Sequence, residues 1–398
     1  MSVSQSMAAT SSPLIDFIMK RHNFAIALLV AIILPIKTQA ATPAFVTKFT
    51  PFSVMSQGYG HVQGIAVDKK NGWVYFSFTT SLVKTDLKGN VLGSVTGFQG
   101  HLGCLTFCEA DSKVYASLEF KNDAIGKGIN KATGRKSPTD NAWYIAIFNG
   151  AAINRPDISC QTPQVLTAVY LPTVVSDYEQ RIGDHNGRYG CSGIDGITFG
   201  PKFGSTNGNT LLTVAYGITP DNNRTDNDYQ VLLQYSPAQL KRFARPLTQD
   251  TLPKSGPAKP QGKYFIYTGN TSWGVQNLAF DRSSGLWFMM VYRGHKPLFP
   301  NNTVYVIDSR TTPRLAPLKG SPCAEKALTI PLLRDGLYHA PSGVFSFQFN
   351  YGPWGFAPIG NGYAVVSHPF TGKDKTNGSE LHIYHWTGNT PTPFALVK

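Results

Sequence analysis

A short phrase recurs along this chain and limits the folds that the chain can adopt. A glycine-containing apolar strand is followed by a tight turn and then by a second strand rich in Val, Tyr and Phe. Copies of the phrase begin at His61, His101, Gly193, Gly274 and Gly352. Chains built from repeated strand–turn–strand units remove exposed sheet edges by closing into a ring. The repeat therefore predicts an all-β chain that folds over residues 42–398 as a single β-propeller of five blades, with six blades as the alternative.

The ends of the chain and the polar insertions complete this prediction. Residues 44–52 (AFVTKFTPF) are expected to form a first strand beside residues 380–386, because a propeller commonly closes by pairing its chain ends within one blade. Blade four is expected to begin at residue 263. A polar stretch without periodicity, residues 124–141, interrupts blade two, and residues 219–228 interrupt blade three. Long insertions of this kind are often functional or mobile loops.

The N-terminal segment indicates the compartment. Lys20 and Arg21 precede the apolar residues 24–35, and small residues surround Ala40. A basic region, a short apolar region and a small-residue cleavage site are typical of a secretory signal. A membrane anchor is the alternative, but the apolar run is well short of the roughly 20 residues that span a bilayer. We therefore expect residues 1–40 to be a signal peptide, the protein to be secreted or periplasmic, and no membrane span to remain after cleavage.

The charge balance favours an acidic partner. The chain has 36 Lys and Arg against 23 Asp and Glu, a formal net charge of +13. Such a surplus often accompanies binding to nucleic acid, anionic lipid or acidic polysaccharide, although it can also serve solubility alone. The basic residues form no long cluster, which argues against nucleic acid. We expect a monomer that binds an acidic small molecule or polysaccharide and no nucleic acid.

The five cysteines are interpreted as structural. An exported protein can form disulfides, but an odd number leaves at least one thiol unpaired, and spacing does not fix the pairing. Cys104 and Cys108 lie four residues apart on one predicted strand, which is too far for a disulfide. No paired Cys or His pattern typical of a metal site is present.

The repeated phrase places polar side chains at matching positions of the innermost strands. Its first position holds His61 and His101, and side chains two residues apart share one face of a strand. Two residues later, four copies carry a polar or aromatic side chain, namely Gln63, Asp195, Gln276 and Trp354. We expect these six residues to meet at the axis of the ring. Polar filling of a water-containing channel is the alternative to a functional site.

Loops next to the innermost strands carry groups suited to an acidic sugar. Arg188, Arg224 and Arg293 can each bind a carboxylate through two parallel hydrogen bonds. Trp273 offers a flat apolar face for a sugar ring. With the amides of Gln63 and Gln276, these residues are predicted to bind the substrate.

β-Elimination from a uronate-containing glycan is a reaction that suits the residues of such a pocket. An arginine would neutralise the uronate carboxylate and so acidify the proton at C5. His61 or His101 would remove that proton, and Tyr216 or Tyr189 would protonate the leaving oxygen. These four residues are the predicted catalytic groups of a lyase that acts by β-elimination. In residue type alone, the His, Tyr and Arg set is similar to that of secreted propeller polysaccharide lyases.

Two segments resemble a known repeat class. Residues 64–77 (GIAVDKKNGWVYFS) and 193–200 (GIDGITFG) resemble the repeat of NHL, gluconolactonase-like and related six-bladed propellers. In the gluconolactonase class, acidic and amide side chains at the axis hold a divalent metal. The resemblance implies that Asp195 is a metal ligand, and the oxygen-rich surroundings favour a hard cation such as Ca²⁺. Metal-assisted hydrolysis of a lactone or ester is therefore an alternative function.

Missing motifs narrow the choice further. The chain contains no GxSxG elbow, no HExxH motif, no P-loop and no GxGxxG fingerprint. Carboxylates are sparse near the predicted axis, which disfavours a glycosidase with two carboxylates. The leading hypothesis is a secreted carbohydrate-active propeller that acts as a lyase on an acidic glycan. A metal-dependent hydrolase and a glycan-binding or surface-binding propeller without catalysis are the alternatives.

Overall fold

Each copy of the repeated phrase forms or leads into the innermost strand of a blade of three to six mainly antiparallel strands. The computed structural model describes residues 42–134, 140–205, 210–321 and 324–397. From the first blade to the fifth, the innermost strands are Val62–Asp68, His101–Cys108, Cys191–Gly200, Ser272–Asp281 and Phe356–Gly360. Each of these strands heads its own sheet. The prediction of an all-β propeller with five blades is confirmed.

The first two blades are built along the chain and completed from further on. Outward from the innermost strand, blade one continues with Trp73–Phe78, Ser81–Thr85, Val91–Thr96 and Ile158–Ser159. Blade two continues with Lys113–Phe120, Ala142–Asn149, Leu166–Tyr170 and Arg245–Pro246. The short outermost strand of each blade comes from a distant part of the chain, so neighbouring blades are linked at their outer edges as well as at the axis.

Blade three is larger than predicted. It continues outward with Leu211–Ile218, Tyr229–Tyr235, Gly262–Tyr267, Lys326–Thr329 and Arg314–Pro317. Our prediction that blade four begins at residue 263 is wrong, because Gly262–Tyr267 pairs with Tyr229–Tyr235 in blade three. Blade four consists of its innermost strand with Leu286–Tyr292 and Val304–Asp308. A separate hairpin, Leu337–His339 with Val344–Ser346, follows it.

Blade five closes the ring with both ends of the chain. Its innermost strand is followed by Tyr363–Thr371 and Asn377–Trp386, and the latter also pairs with Phe394–Leu396. Closure at residues 380–386 is correct, but the first strand is Ser53–Met55, whose Ser53 pairs with Glu380. The predicted strand over residues 44–52 is wrong, because Ala44–Lys48 is a short α-helix, α1, and residues 49–52 form no strand.

Three further helices lie in the connections. They are α2, Ala124–Thr133, α3, Pro172–Glu179, and α4, Pro237–Phe243, with single 3₁₀ turns at Gly150–Ala152, Arg188–Gly190 and Gly352–Trp354. The stretch 124–141, predicted as a loop, contains α2. The Asp123 carboxylate caps α2 by accepting a hydrogen bond from the Gly126 amide at 2.9 Å. Within the described ranges, no helix is long and apolar enough to cross a membrane.

The innermost strands approach one another closely at the axis because of glycine. A Cβ at Gly64 would lie 2.4 Å from the Leu105 amide nitrogen, so only glycine fits between blades one and two. The buried Asn277 links four blades. Its amide nitrogen donates to the Gln63 and Pro353 carbonyls at 3.1 and 3.0 Å, and its oxygen accepts from the Phe356 amide and the Cys104 thiol. The axis is thus a rigid frame for the side chains at its mouth.

Some predictions fall outside the described residues. The signal peptide, residues 1–40, lies there, as does Cys323. The described cysteines, Cys104, Cys108, Cys160 and Cys191, are buried, and Cys104, Cys108 and Cys191 are free thiols. Burial raises the pKa of the Cys104 thiol to about 12, so this thiol stays neutral and packs as part of the core. The described part of residues 42–398 belongs to one compact unit.

Candidate functional site

A pocket of about 520 Å³ opens at the mouth of the ring where the innermost strands begin. Six of the predicted site residues line it together, namely His61, Gln63, His101, Asp195, Trp273 and Gln276. They come from blades one to four, and each lies at or near the first residues of an innermost strand. Five of these six were expected at the axis from the repeated phrase; the sixth residue expected there, Trp354, packs against His61 without lining the pocket. The roles of all these residues stay predictions.

His101 is held by a carboxylate from the neighbouring strand. Its Nδ1 lies 3.1 Å from Oε1 of Glu119, which is its cross-strand partner. Glu119 also accepts hydrogen bonds from Lys121 Nζ at 2.6 Å and from the Trp143 indole at 3.0 Å. An ionised carboxylate only accepts hydrogen bonds, so Nδ1 of His101 carries a proton. That tautomer leaves Nε2 with a free electron pair that can accept a proton.

The charges of Glu119 and Lys121 stabilise each other. Burial by itself would raise the pKa of Glu119, but the charge of Lys121 and the hydrogen bond from His101 outweigh it and lower the pKa to about 2. Burial also opposes the charge of Lys121, yet Glu119 and Asp123 raise its pKa. The pair is ionised across the physiological range. Glu119 is therefore an orienting group with no proton to exchange at neutral pH.

Asp195 is a buried carboxyl group beside this pair. Its Oδ1 accepts a hydrogen bond from the Cys104 amide at 3.1 Å. Gly103 makes room for the carboxyl group, because a Cβ at that position would lie 2.3 Å from Oδ1. Burial raises the pKa of Asp195 to about 7; His101 acts against this rise, and Glu119 adds to it. Asp195 can therefore both donate and accept a proton near neutral pH.

His61 forms a second pair across the pocket. Its Nε2 lies 3.2 Å from the hydroxyl of Tyr292, and its ring packs edge-on against Trp354 at 4.7 Å between centroids. Burial, together with the charge of His101, lowers the pKa of His61 to about 4. Burial and then Asp195 raise the pKa of Tyr292. At neutral pH the pair consists of an uncharged imidazole and a protonated phenol.

Amides and aromatic rings complete the lining. Gln63 donates to the Thr79 hydroxyl at 3.2 Å, and Gln276 donates to the Trp273 carbonyl at 3.2 Å. Each amide nitrogen has two donors, so one remains for a ligand. The side chains of Tyr59 and Trp273 are 45% and 42% exposed at the rim. Trp273 has a φ of +68°, which is uncommon for a bulky residue and often marks a functional position.

The structure does not bring the two predicted catalytic tyrosines to the pocket. Tyr216 is fully buried between blades and donates to the Asp177 carboxylate at 2.6 Å. Tyr189 is buried and donates to Glu325 at 2.7 Å, in a small cavity of about 90 Å³ beside blade three. Each hydroxyl is satisfied by a carboxylate of the core or the loops. Neither is therefore placed to act on a ligand in the pocket.

The three predicted arginines also lie elsewhere. Arg188 pairs with Glu325 at 2.9 Å. Arg224 is buried and donates two hydrogen bonds of 2.8 Å to Asp226, with others to backbone carbonyls. Arg293 is exposed next to Tyr292 but does not line the pocket. The first two arginines are engaged by carboxylates of the loops and do not line the pocket.

The predicted calcium site is not favoured by the donors present. Within the described ranges, no three His, Cys, Asp or Glu side chains are grouped so that they could hold a metal ion. The Lys121 ammonium lines the same pocket as Asp195, and a second cation there would be repelled. The side-chain oxygen of Asn277, the residue after Gln276, already accepts two hydrogen bonds and is not free to bind a metal ion. The calcium site stays a prediction, and no step proposed below depends on it.

The predicted site residues did not include Glu119, Lys121, Tyr59 or Tyr292, which also line the pocket. Glu119 and Tyr292 lie at the ends of second strands, Lys121 directly follows one, and Tyr59 lies just before the first innermost strand. The repeat aligned only the innermost strands, whereas the ends of the second strands reach the same mouth. The turn between two strands of a hairpin sets their register, and this register places the Glu119 carboxylate opposite His101. Glu119 could therefore have been predicted from the sequence.

A second cavity, of about 580 Å³, opens at the opposite mouth. It is larger, but none of the predicted site residues lines it. Four of its charged side chains form ion pairs, Lys69 with Glu109 at 3.2 Å and Lys241 with Asp111 at 3.1 Å. Half-buried phenylalanines from the ends of the innermost strands form much of its wall. The convergence of titratable groups assigns the candidate site to the first pocket.

Comparison with known proteins gives only distant similarities. No protein family matches the chain, and no curated protein matches it. Among solved structures, it is similar to the native arabinanase of Bacillus subtilis, with 11% identity, 85% of this chain and 98% of that chain covered, and a TM-score of 0.40. It is also similar to the soluble aldose sugar dehydrogenase of Escherichia coli, with 11% identity, coverages of 84% and 99%, and a TM-score of 0.33.

A third similar structure is the Dos1 propeller, with 11% identity, coverages of 81% and 78%, and a TM-score of 0.28. Similarities at this level say nothing about activity or substrate. The propeller fold rests on the strand pairing described above. The resemblance to the NHL and gluconolactonase-like repeat stays a prediction, because no family match accompanies it.

Proposed function

We propose that the pocket binds an acidic glycan and cleaves it by β-elimination, with two histidine-based pairs as the acid–base groups. The observation that carries this proposal is the convergence of His101–Glu119 and His61–Tyr292 on one pocket beside the protonatable Asp195. General acid–base catalysis needs a base and an acid on the same substrate, each in the right protonation state. The secreted or periplasmic location predicted by residues 1–40 would bring the protein to such polymers.

His101 is the proposed base. Glu119 fixes the ring with Nδ1 protonated, so Nε2 removes the proton at C5 of the uronate. The electrons of the C5–H bond form a C4–C5 double bond, and the bond between C4 and the glycosidic oxygen breaks. The adjacent carboxylate of Glu119 stabilises the imidazolium that forms. The pair needs no further cofactor, and the proton later passes from His101 to solvent.

Tyr292 is the proposed acid, in place of Tyr216 or Tyr189. Its raised pKa keeps the hydroxyl protonated at neutral pH, and His61 positions it from 3.2 Å away. The hydroxyl proton is transferred to the leaving glycosidic oxygen, and the resulting tyrosinate regains a proton from solvent. His61 is therefore a positioning residue for Tyr292 and is uncharged at the working pH.

Neutral donors replace the predicted arginines around the uronate carboxylate. Protonated Asp195 can donate to a carboxylate oxygen, and the amides of Gln63 and Gln276 each have one donor left. Lys121 supplies a fixed positive charge on the same wall. These groups bind one carboxylate of the substrate. A second substrate carboxylate would be repelled, because the negative charge of Glu119 faces the same pocket.

Turnover of a panel of uronate polymers tests the proposal. A 4,5-unsaturated product, which absorbs in the ultraviolet, is expected from the wild type. His101→Ala and Tyr292→Phe are each expected to lose at least about 100-fold in kcat, in line with the usual contribution of one acid or base. His295→Ala, at an exposed histidine outside the pocket, is the matched control. A complete absence of unsaturated product on every polymer would refute the elimination.

One observation favours a second reaction. The pKa of Asp195, raised to about 7 by burial, is also suited to protonating a leaving oxygen in hydrolysis. New reducing ends without ultraviolet absorbance, lost in Asp195→Asn, would identify hydrolysis. Activity that disappears with a chelator and returns with Ca²⁺ would identify the metal-assisted hydrolase. Binding without any product, sensitive to salt, would identify a binding propeller.

A further inference from the structure

The blade-five hairpin, defined as Tyr363–Thr371 with Asn377–Trp386, extends to the rim of the pocket. Asn377, at the start of its second strand, lines the pocket. The Asn377 carbonyl accepts a hydrogen bond of 2.9 Å from the Ser56 amide, in the loop that carries Tyr59. The tip of the hairpin and the aromatic rim are therefore one continuous surface.

An apolar strip leads along this surface away from the pocket. It consists of Tyr59, Met55 and Phe370, of which the latter two are 40% and 37% exposed. Met55 and Phe370 cover the backbone of Gly378, where a Cβ would lie 2.8 Å from the Met55 sulfur and 2.6 Å from the Phe370 ring. Apolar side chains exposed side by side next to a pocket commonly mark a binding surface.

Positive charge lies beside the strip, in the turn of the hairpin. Lys373 and Lys375 are exposed in the turn of the hairpin. Asp374 between them is engaged within the turn, accepting from the Thr376 amide at 3.0 Å and from its hydroxyl at 2.9 Å. Lys375 has a φ of +67°, a conformation that glycine or asparagine adopts more readily. Residues in such strained backbone conformations cluster at functional sites, so the strain at Lys375 points to a functional role.

We propose that the blade-five hairpin is an extended subsite for the acidic glycan, distinct from the catalytic pocket and resting on the proposed function. Sugar rings of the polymer lie on Tyr59, Met55 and Phe370, and uronate carboxylates further along the chain meet Lys373 and Lys375. The pattern of apolar faces followed by cations matches a chain of rings that each bear a carboxylate. The subsite makes the protein prefer long chains to short ones.

Binding of two probes distinguishes this subsite from the pocket. The probes are polygalacturonate and trigalacturonate, and the variants are Lys373→Glu/Lys375→Glu and Met55→Ser/Phe370→Ser. At low ionic strength, the lysine variant is expected to bind the polymer about fivefold to tenfold more weakly, as two exposed charge pairs allow. Its affinity for the trisaccharide and its kcat are expected to be unchanged. Raising the salt concentration should remove most of the difference.

The matched control is Lys88→Glu/Lys202→Glu, which makes the same charge change at two exposed lysines in turns outside the pocket. It is expected to leave the polymer affinity within about twofold of the wild type, since these lysines belong to neither the pocket nor the blade-five hairpin. Equal polymer affinity in the wild type and the Lys373/Lys375 variant would overturn the subsite. Equal loss for the polymer and the trisaccharide would also overturn it. A wild type that binds and cleaves neither probe nor any other uronate polymer would instead refute the proposed function beneath it.

Discussion

Nδ1 of His101 lies 3.1 Å from Oε1 of Glu119, the residue opposite it on the neighbouring strand of blade two. The same oxygen lies 2.6 Å from the Lys121 ammonium. The orientation of the histidine therefore depends on a buried ion pair. The carboxylate of Glu119 affects both the basicity of His101 and the stability of blade two. Mutations can separate these two effects.

Glu119→Gln is expected to damage both properties. It leaves the buried Lys121 charge without its partner, which costs about 3–5 kcal/mol of the free energy of unfolding. It also removes the anion that orients His101 and stabilises its protonated form, so kcat should fall by about 100-fold or more. Urea unfolding curves and turnover of a uronate polymer measure the two effects.

The double variant Glu119→Gln/Lys121→Met serves as the control for this prediction. Removing both charges should restore most of the lost free energy of unfolding, because no unpaired charge remains buried. It should not restore kcat. Recovery of kcat in the double variant would mean that Glu119 acts only as the counter-ion of Lys121.

Asp195→Asn is expected to stabilise the protein at high pH and not at low pH. Below the ordinary value of 3.8, the carboxyl group is protonated in both the folded and the unfolded chain, so it has no effect there. As the pH rises from 3.8 to about 7, the unfolded chain releases the proton first, and the native state loses stability. The loss is complete above about pH 7 and amounts to about 4 kcal/mol. Unfolding midpoints across this range, compared between wild type and variant, measure it; a constant difference at every pH would contradict the raised pKa.

Trp273→Gly is expected to separate stability from binding. Glycine adopts a φ of +68° without strain, so the free energy of unfolding should rise or stay within about 1 kcal/mol. Loss of the exposed indole should raise KM or Kd for the glycan about tenfold while kcat changes little. Tyr338→Ala, at an exposed tyrosine of the Leu337–His339 hairpin, is the control for aromatic removal. Unchanged affinity in Trp273→Gly would exclude stacking on this ring.

Asn277→Ala is expected to destabilise the whole ring. The change leaves the buried Gln63 and Pro353 carbonyls and the Phe356 amide without this partner. Each unsatisfied buried group costs about 1–3 kcal/mol, so a loss of about 3 kcal/mol or more is expected in chemical denaturation. Asn223→Ala, at an exposed loop position, should change the midpoint little. A small effect at Asn277 would mean that water replaces the side chain at the axis.

The fold and half of the site followed from local features of the sequence. Alternation with a period of two, tight turns and the repeated phrase located the five innermost strands, because strand and turn chemistry act between near neighbours. The same alternation placed His61, His101 and Asp195 on one face. These features also predicted closure at residues 380–386, although the partner strand begins only at Ser53.

Pairing between distant segments decided the remaining architecture. Gly262–Tyr267 has the pattern of any buried strand, and only its register with Tyr229–Tyr235 assigns it to blade three. Helix α2 contains two glycines in ten residues, which lowers its helix propensity, so its sequence alone favoured a loop. Which structure such a segment adopts, and which blade it joins, depends on the protein surface that it covers. That surface exists only after the blades have packed against one another.

By itself, therefore, the sequence determined the repeat, the blade number and the polar positions at the start of each innermost strand. The tertiary structure decided which other side chains reach the mouth. Tyr216 and Arg224 turned inward because Asp177 and Asp226 offered buried charge partners, whereas Tyr292 and Glu119 reached the pocket through the registers of second strands. A side chain far along the chain is placed by long-range packing and charge pairing, and neither can be read from its neighbours in sequence.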